Sequence, residues 1–247
     1  MDKLLYLSMT GATQTMLAQT AHANNLANAN TTGFKSDMAQ ARAMAVIGEG
    51  HQSRVYAMTE RPATDLSSGV NQHTGRELDV AVQDHGWIAV QSANGSEAYT
   101  RAGELHVDAV GQLRTGTGLP VIGEGGPIEL PPSSKIEIAG DGTITVRVQG
   151  SQANELAVVD RIKLVNPDPQ TLIKGLDGLL RVKGGAAAAI DPLVKLESGH
   201  LETSNVNAVS ELTAMIGLSR RFEMNIKMMK SAEENAAAAA KVLQDVG

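Results

Sequence analysis

The stretch NNLANANTTGFK, residues Asn24–Lys35, sets Asn24, Asn25 and Asn28 within five residues at the end of a helical pattern and then meets a glycine, Gly33. Asparagine costs about 0.5 kcal/mol per helical position relative to alanine, so something outside the helix must use those amides. Upstream of them, a 4-3 spacing picks out Leu5, Met9, Ala12, Met16, Gln19, Ala23 and Leu26, apolar at six of seven places. That is the spacing of a coiled-coil-like seam. The pattern predicts a helix over residues 3–30, ended by Thr31, Thr32 and Gly33, with the glycine where a left-handed cap residue is wanted.

The other end of the chain follows the same grammar over a greater length. Stepping 4-3 from Ala208 gives Leu212, Met215, Ser219, Phe222, Ile226, Met229, Glu233, Ala236, Ala240 and Leu243, with nine of the eleven positions apolar. Asn205 or Asn207 can cap this helix, and Glu211 sits in its first turns near the positive end of the dipole. Running to residue 245, it would be about 55 Å long, well beyond a typical globular helix.

Between these ends the period changes. LDVAVQDHGWIAVQ, AYTRAGELHVDAVGQLRT, KIEIAGDGTITVRV and LAVVDRIKLV alternate apolar and polar residues, punctuated by Gly, Asn-Gly and Asp-Gly. AGDGT, Ala139–Thr143, lies between two alternating runs and is a strong hairpin signal. The reading is a mostly antiparallel β domain over about Leu78–Leu180, with Pro120, Pro127, Pro131 and Pro132 confined to edges and loops. Residues 36–77 fit neither pattern; a short helix near Asp37–Val46 followed by extended chain is expected there. GGAAAAIDP, Gly184–Pro192, reads as a loop. The fold class is therefore α+β, with segments at residues 1–33 (helix), 34–77 (linker), 78–200 (β-rich domain) and 201–247 (helix).

Composition narrows the function. A net charge of −6 and no basic cluster longer than Arg220-Arg221 argue against a nucleic-acid partner. No cysteine is present, which removes disulfides, thiolate metal sites and a cysteine nucleophile. Aromatics make up only 2%, so the apolar load falls on Ala, Leu and Met, which suits close helix packing. The opening MDKLLYLSMTGATQTMLAQTAHA has features of a signal peptide. Its apolar stretch is broken by Ser8, Thr10, Gly11, Thr13, Gln14 and Thr15, and a cleaved signal is not expected. No run approaches the 18 or so apolar residues of a membrane span.

A helix with an apolar seam has to bury it. If the two end helices pair, they run antiparallel. Asn24, Asn25 and Asn28 then lie beside TSNVN, Thr203–Asn207, where amides can satisfy one another and the freed helix-end groups. Further apolar residues off the seam, such as Leu7, Leu17, Val209, Ile216 and Met224, call for neighbouring subunits.

The N-terminal MDKLLYLSMTGA with NNLANANTTGFK, the central ELDVAVQDHGWIAVQ with AYTRAGEL, and the C-terminal LESGHLETSNVNAVSELTAMIGLSRRFEMNIKMM together resemble the bacterial flagellar rod and hook proteins, and look most like the proximal-rod members. The resemblance implies a structural subunit of the proximal rod, in the periplasm-spanning basal body. It implies export by the flagellar type III apparatus and helical assembly with itself and with other rod proteins, proximal neighbours below and the distal-rod protein above. Such an assembly is a drive shaft carrying torque to hook and filament. It also implies terminal helices that form an inner coiled-coil tube, disordered before assembly, and a β domain in an outer layer. No catalysis, cofactor, metal, nucleic acid or membrane insertion is implied. The expected assembly interface comprises Leu5, Met9, Ala12, Met16, Leu26, Asn24, Asn25, Asn28, Gly33, Phe34, Asn205, Asn207, Leu212, Met215, Phe222, Ile226 and Met229. A distal-rod or hook subunit is the near alternative, and a ligand-binding or enzymatic β domain with helical oligomerisation arms the distant one.

Each of these residues also has a plainer reading. The asparagines can be helix-end caps within one subunit. Phe34 can anchor in an apolar pocket or pack locally. Met215, Met224, Met228 and Met229 stand at helical spacing and read as packing, not as a soft-metal surface. His73, His85 and His106 near Asp79, Asp84 and Asp108 match no ligand or catalytic spacing. GTGLPVIGEGG, Gly116–Gly126, is not G-x-G-x-x-G, carries Pro120 where a helix should start, and reads as turns.

Overall fold

The structure, a computed structural model, describes residues 3–38, 40–45, 55–60, 63–148 and 157–245. The chain forms two compact units: residues 1–29, 37–65 and 206–247 make the first, residues 30–36 and 66–205 the second.

The first unit holds the two long helices, α1 (Lys3–Ala27) and α2 (Ala208–Asp245). They pack along each other in opposite directions, since His22 meets Glu211 while Gly11 meets Asn225. Four threonines of α1, Thr10, Thr13, Thr15 and Thr20, turn their hydroxyls back to the carbonyl four residues earlier. A helix can hold threonine in that way without leaving the hydroxyl unmet. α1 ends at Ala27, earlier than its pattern predicts: the Asn28 N–H is shared between the carbonyls of Asn24 and Asn25, at 3.2 and 3.1 Å. Gly33 therefore lies outside the cap and has another role, given below.

The same unit contains an antiparallel strand pair, Gln40–Ala45 with Val55–Glu60, in register from Gln40 opposite Glu60 to Ala45 opposite Val55. Here the expected short helix over Asp37–Val46 is corrected. QARAMA has good helix propensity, but backbone pairing to the β-branched and aromatic residues of VYAMTE overrides it. Val46 itself lies outside the described residues.

The second unit is built from antiparallel strands, as the alternation predicts. Its largest sheet has five strands in the order Leu164–Val165, Trp87–Gln91, Glu97–Thr100, Leu180–Val182 and Leu172–Lys174. A three-stranded sheet orders Ala157–Arg161, Thr143–Val148 and Ser133–Ile138; its last two strands are joined through AGDGT, where the Gly142 N–H reaches the Ala139 carbonyl at 2.9 Å. Shorter pairs join Leu196–Ser198 to Val80–Val82, and His200–Glu202 to Asn71–His73. The strand Trp87–Gln91 is covered on both faces, which is why WIAV reads as a nearly continuous apolar run. Ile88 and Val90 enter the main core with Val80, Leu105, Leu113, Val121, Ile128 and Ile144. Trp87 and Ala89 enter a smaller cluster with Tyr99, Val165 and Leu180.

Candidate functional site

In the first unit, the surfaces the helices present to each other differ from the apolar seams in a regular way. The inward positions of α2 are Ala208, Glu211, Met215, Leu218, Phe222, Asn225, Met229 and Ala232, a continuous 3-4 repeat. On α1 the covered positions form two adjacent columns, Leu7, Gly11, Gln14, Ala18, Ala21 and Asn25 beside Ser8, Ala12, Thr15, Gln19, His22 and Leu26. One column of each expected seam is retained: Ala12 and Leu26 on α1; Met215, Phe222 and Met229 on α2. The other column is shifted by one residue. Met9, Met16, Leu212 and Ile226 are 48%, 61%, 47% and 44% exposed, and Leu5 is exposed as well. Ser8, Thr15, His22, Glu211 and Asn225 take their places inside. Neighbouring helical residues stand about 100° apart, and both can flank a contact line. Apolar periodicity reports the whole apolar stripe, while the line buried within this chain is partly polar.

Three of the polar inner residues, His22, Asn25 and Glu211, bond one another. His22 Nδ1 bonds the Glu211 carboxylate, and Glu211 Oε1 also accepts from Asn25 Nδ2 at 3.4 Å. Asn25, 1% exposed, uses its amide like a strand partner: Nδ2 donates to the Asp37 carbonyl and Oδ1 accepts the Asp37 N–H, both at 2.9 Å. A Cβ on Gly11 would stand 3.2 Å from Asn225 Oδ1, so the glycine makes room for that amide. Asn28 Nδ2 turns back to the Asn24 carbonyl at 2.9 Å, and Asn24 is exposed. Asn207 caps α2, its Oδ1 accepting from Val209 and Ser210 N–H at 3.1 Å each. The bonds described for Asn25, Asn28 and Asn207 go to backbone groups and to the Glu211 carboxylate.

In the second unit a buried charge cluster gathers three segments distant in sequence. Glu202 is 1% exposed. Its Oε1 accepts from Lys35 Nζ at 2.6 Å and from the Gly69 N–H at 2.8 Å, and its Oε2 from Arg101 at 2.8 Å. Lys35 Nζ also donates to the Ser67 carbonyl at 2.7 Å, and Arg101 to the Asp84 carbonyl at 2.8 Å. Both cations lie against the Trp87 ring, Arg101 Cζ at 5.1 Å and Lys35 Nζ at 5.7 Å from its centroid, within cation–π range. Burial alone would push the Glu202 carboxyl up; the Lys35 hydrogen bond, the charges of Arg101 and Lys35 and the Gly69 N–H together hold it below its ordinary value.

Further bonds close the same place. Asn205 Oδ1 accepts from Ser36 N–H at 2.8 Å and Nδ2 donates to the Ser67 carbonyl at 3.2 Å. The Gly33 N–H reaches the Glu202 carbonyl at 2.8 Å. Gly33 has φ +66°, and a Cβ there would fall 2.2 Å from the Arg101 carbonyl carbon, so only glycine fits. Phe34 is half-buried with Lys174 Nζ 3.9 Å from its ring centroid, a cation–π contact that stands where an apolar pocket was one expectation. The residues 33–36, 67–69 and 202–205, at which the chain leaves or enters this unit, are thus tied to one another.

Lys35, Arg101, Glu202 and Trp87 were not singled out by sequence reasoning. They lie inside the quoted motifs, but a pairing across 167 residues has no period to betray it. The carboxylates considered for chemistry have structural partners. Asp79 accepts from Thr74 and Arg76. Asp108 accepts from Val110, Gln112 and Arg114. His85 lines a shallow groove of about 220 Å³ with Asp84, Asp191 and Lys195. Among the described residues no group of three or more His, Asp or Glu is placed to hold a metal ion, and no helix is long and apolar enough to cross a membrane.

Comparison with known proteins follows the same three segments. Residues 5–35 match the family described as flagella basal body rod protein, residues 81–146 the flagellar hook protein FlgE/F/G D1 domain, and residues 197–242 the flagellar basal body rod FlgEFG protein C-terminal family. Lys35, Arg101 and Glu202 fall one in each. The chain is 43% identical to the flagellar basal-body rod protein FlgF of Escherichia coli, over 98% of this chain and 99% of that protein. FlgF of Salmonella typhimurium gives the same identity and coverage. The rod protein FlgG of Bacillus subtilis is 30% identical over 95% of this chain and 96% of its own length. Matched at both helical ends, in its β unit and along its whole length, the chain belongs to the family of flagellar basal-body rod proteins.

Proposed function

We propose that this structural subunit of the flagellar rod assembles through the apolar residues that its own helices leave uncovered, in the proximal part of the rod. The carrying observation is the exposure of Met9, Met16, Leu212 and Ile226 beside an inner helix contact that holds Ser8, Asn225 and the bonded pair His22 and Glu211. Large apolar side chains in regular columns along helices of 25 and 38 residues fit the flanks of further helices from other copies or other rod proteins. In an assembled rod these columns would complete a coiled-coil tube, whose heterologous contacts leave open ends. The number of copies is then set by neighbouring rod proteins. Delivery by the flagellar type III export apparatus belongs to the same reading.

The β unit's role in this reading is mechanical. Its three exit segments are cross-tied by Glu202, Lys35 and Asn205, so a load applied through any one is shared by all. Torque is carried by packed surfaces and no catalytic step is required. The test is motility in a strain whose only copy carries Leu212→Asp or Ile226→Asp. Both side chains are exposed in the single chain, so the protein should be made, fold and be exported, yet support no swimming. Swimming at wild-type speed would overturn the assignment of this face.

A further inference from the structure

The strand Asn71–His73 pairs antiparallel with His200–Glu202, and His73 stands directly opposite His200. The Thr74 N–H reaches the Gly199 carbonyl at 2.8 Å and the Thr203 N–H the Val70 carbonyl at 2.9 Å. Hydrogen-bonded and non-hydrogen-bonded pairs alternate along such a ladder, so His73 and His200 occupy a non-hydrogen-bonded pair, where side chains approach most closely. Their ring centroids are 4.7 Å apart with planes tilted by 54°. His200 Nδ1 lies 3.2 Å from the Ser198 carbonyl and 3.6 Å from Glu197 Oε1. Both neighbours are acceptors, so in the neutral ring the proton sits on Nδ1 and the lone pair on Nε2. A carbonyl or carboxylate on the remote ring nitrogen is the support that metal-ligating histidines receive. The His73 ring borders Gly75 and Gly199, where even an added Cβ would come no nearer than 3.7 and 3.8 Å respectively to its Nε2 and Cε1.

We propose that His73 and His200 form a two-imidazole chelate for a divalent transition cation, with copper(II) the preferred ion and water in the remaining positions. Two imidazoles without thiolate suit copper(II) or nickel(II), and copper(II) heads the divalent affinity order. A structural zinc site would want four protein ligands. The ion bridges two strands, and because the folded ladder alone brings the rings together, binding favours the folded state. The proposal is independent of how the subunit packs in the rod.

The test titrates the purified full-length chain with copper(II) in a non-coordinating buffer, followed by calorimetry and by the visible and electron-spin spectra of nitrogen ligation. The expected result is one ion per chain in the micromolar range, at least tenfold weaker in His73→Ala and in His200→Ala, and unchanged in His106→Ala. One equivalent of copper(II) should also raise the midpoint of thermal unfolding in the parent chain but in neither of the two weakened variants. Binding that survives both single substitutions, or no nitrogen-ligated ion at hundredfold excess, overturns the site.

Discussion

Glu202 is the residue on which the β unit is most exposed to error. Its carboxylate is buried with two cations, and a buried pair is costly to break because the surviving charge stays dry and uncompensated. Loss of one partner typically destabilises by about 3–5 kcal/mol. Glu202→Gln keeps the size and removes the charge, so it should lower the stability measured by urea unfolding by an amount of that order. The charge also sets a pH dependence. The folded Glu202 carboxyl is held below its ordinary value, so its contribution is fully present above the unfolded carboxyl's pKa, about 4.3, and is lost as the pH falls through the folded one. Urea midpoints taken from pH 6 down to pH 3 should therefore fall less steeply for Glu202→Gln than for the parent chain; parallel profiles would show that the cluster contributes nothing to the acid limb. Gly33 is bound to the same cluster by sterics. Its left-handed φ and the 2.2 Å approach to the Arg101 carbonyl carbon make Gly33→Ala a backbone clash with no flexible side chain to yield, and soluble protein with an unshifted unfolding midpoint would contradict that geometry.

At the scale of elements, the ends of α2 and the phase of the helix contact can be separated by experiment. Asn207 satisfies two amides of the first turn, and Asn207→Ala should cost about 1 kcal/mol, read as faster hydrogen exchange at Val209 and Ser210 with the strands of the β unit unchanged. Several elements were legible from residues alone. AGDGT carried its own turn, the covered strand Trp87–Gln91 showed as an apolar run, and both long helices followed from their repeats. The contact between the helices was half legible. The columns led by Ala12 and by Met215 and Phe222 are mostly apolar and inside, but the columns beside them carry Ser8, Thr15, His22, Glu211 and Asn225 inside and leave Met9, Met16, Leu212 and Ile226 outside, with His22, Glu211 and Asn25 bonded together there. A rule that places apolar residues inward reverses such a column. The strand Gln40–Ala45 was illegible for a different reason: its residues favour a helix, and only its partner strand decides otherwise. The Glu202 cluster joins three segments across the whole sequence, and local pattern carries no trace of it.

At the scale of the molecule, the two units differ in how much apolar surface each encloses. In the β unit Val80, Ile88, Val90, Leu105, Leu113, Val121, Ile128, Ile144 and Ile162 are all buried in one core. Along the described parts of α1 and α2 the buried residues are Ser8, Ala12, Asn25 and Ala232, all small or polar, so few large side chains leave water there. At about 25 cal/mol per Å² of apolar surface removed from water, a contact in which Leu26, Met215, Leu218, Phe222 and Met229 are only partly buried offsets little of the roughly 1–2 kcal/mol of backbone entropy lost for each ordered residue. In the proposed assembly, apolar surface from other chains makes up that deficit for the helices, whereas the β unit encloses its own core. Hydrogen exchange on the dilute chain, read by mass spectrometry, should find residues 3–27 and 208–245 exchanging orders of magnitude faster than the strands around Ile88, Leu113 and Ile144. Raising the concentration until the chain self-associates, or adding rod-protein partners, should slow exchange in the helices while the strands stay as they were. Helices already protected to the level of the β core in a dilute monomer would mean that the exposed columns are not needed to hold them, and the assembly role given to Met9, Met16, Leu212 and Ile226 would fall with that result.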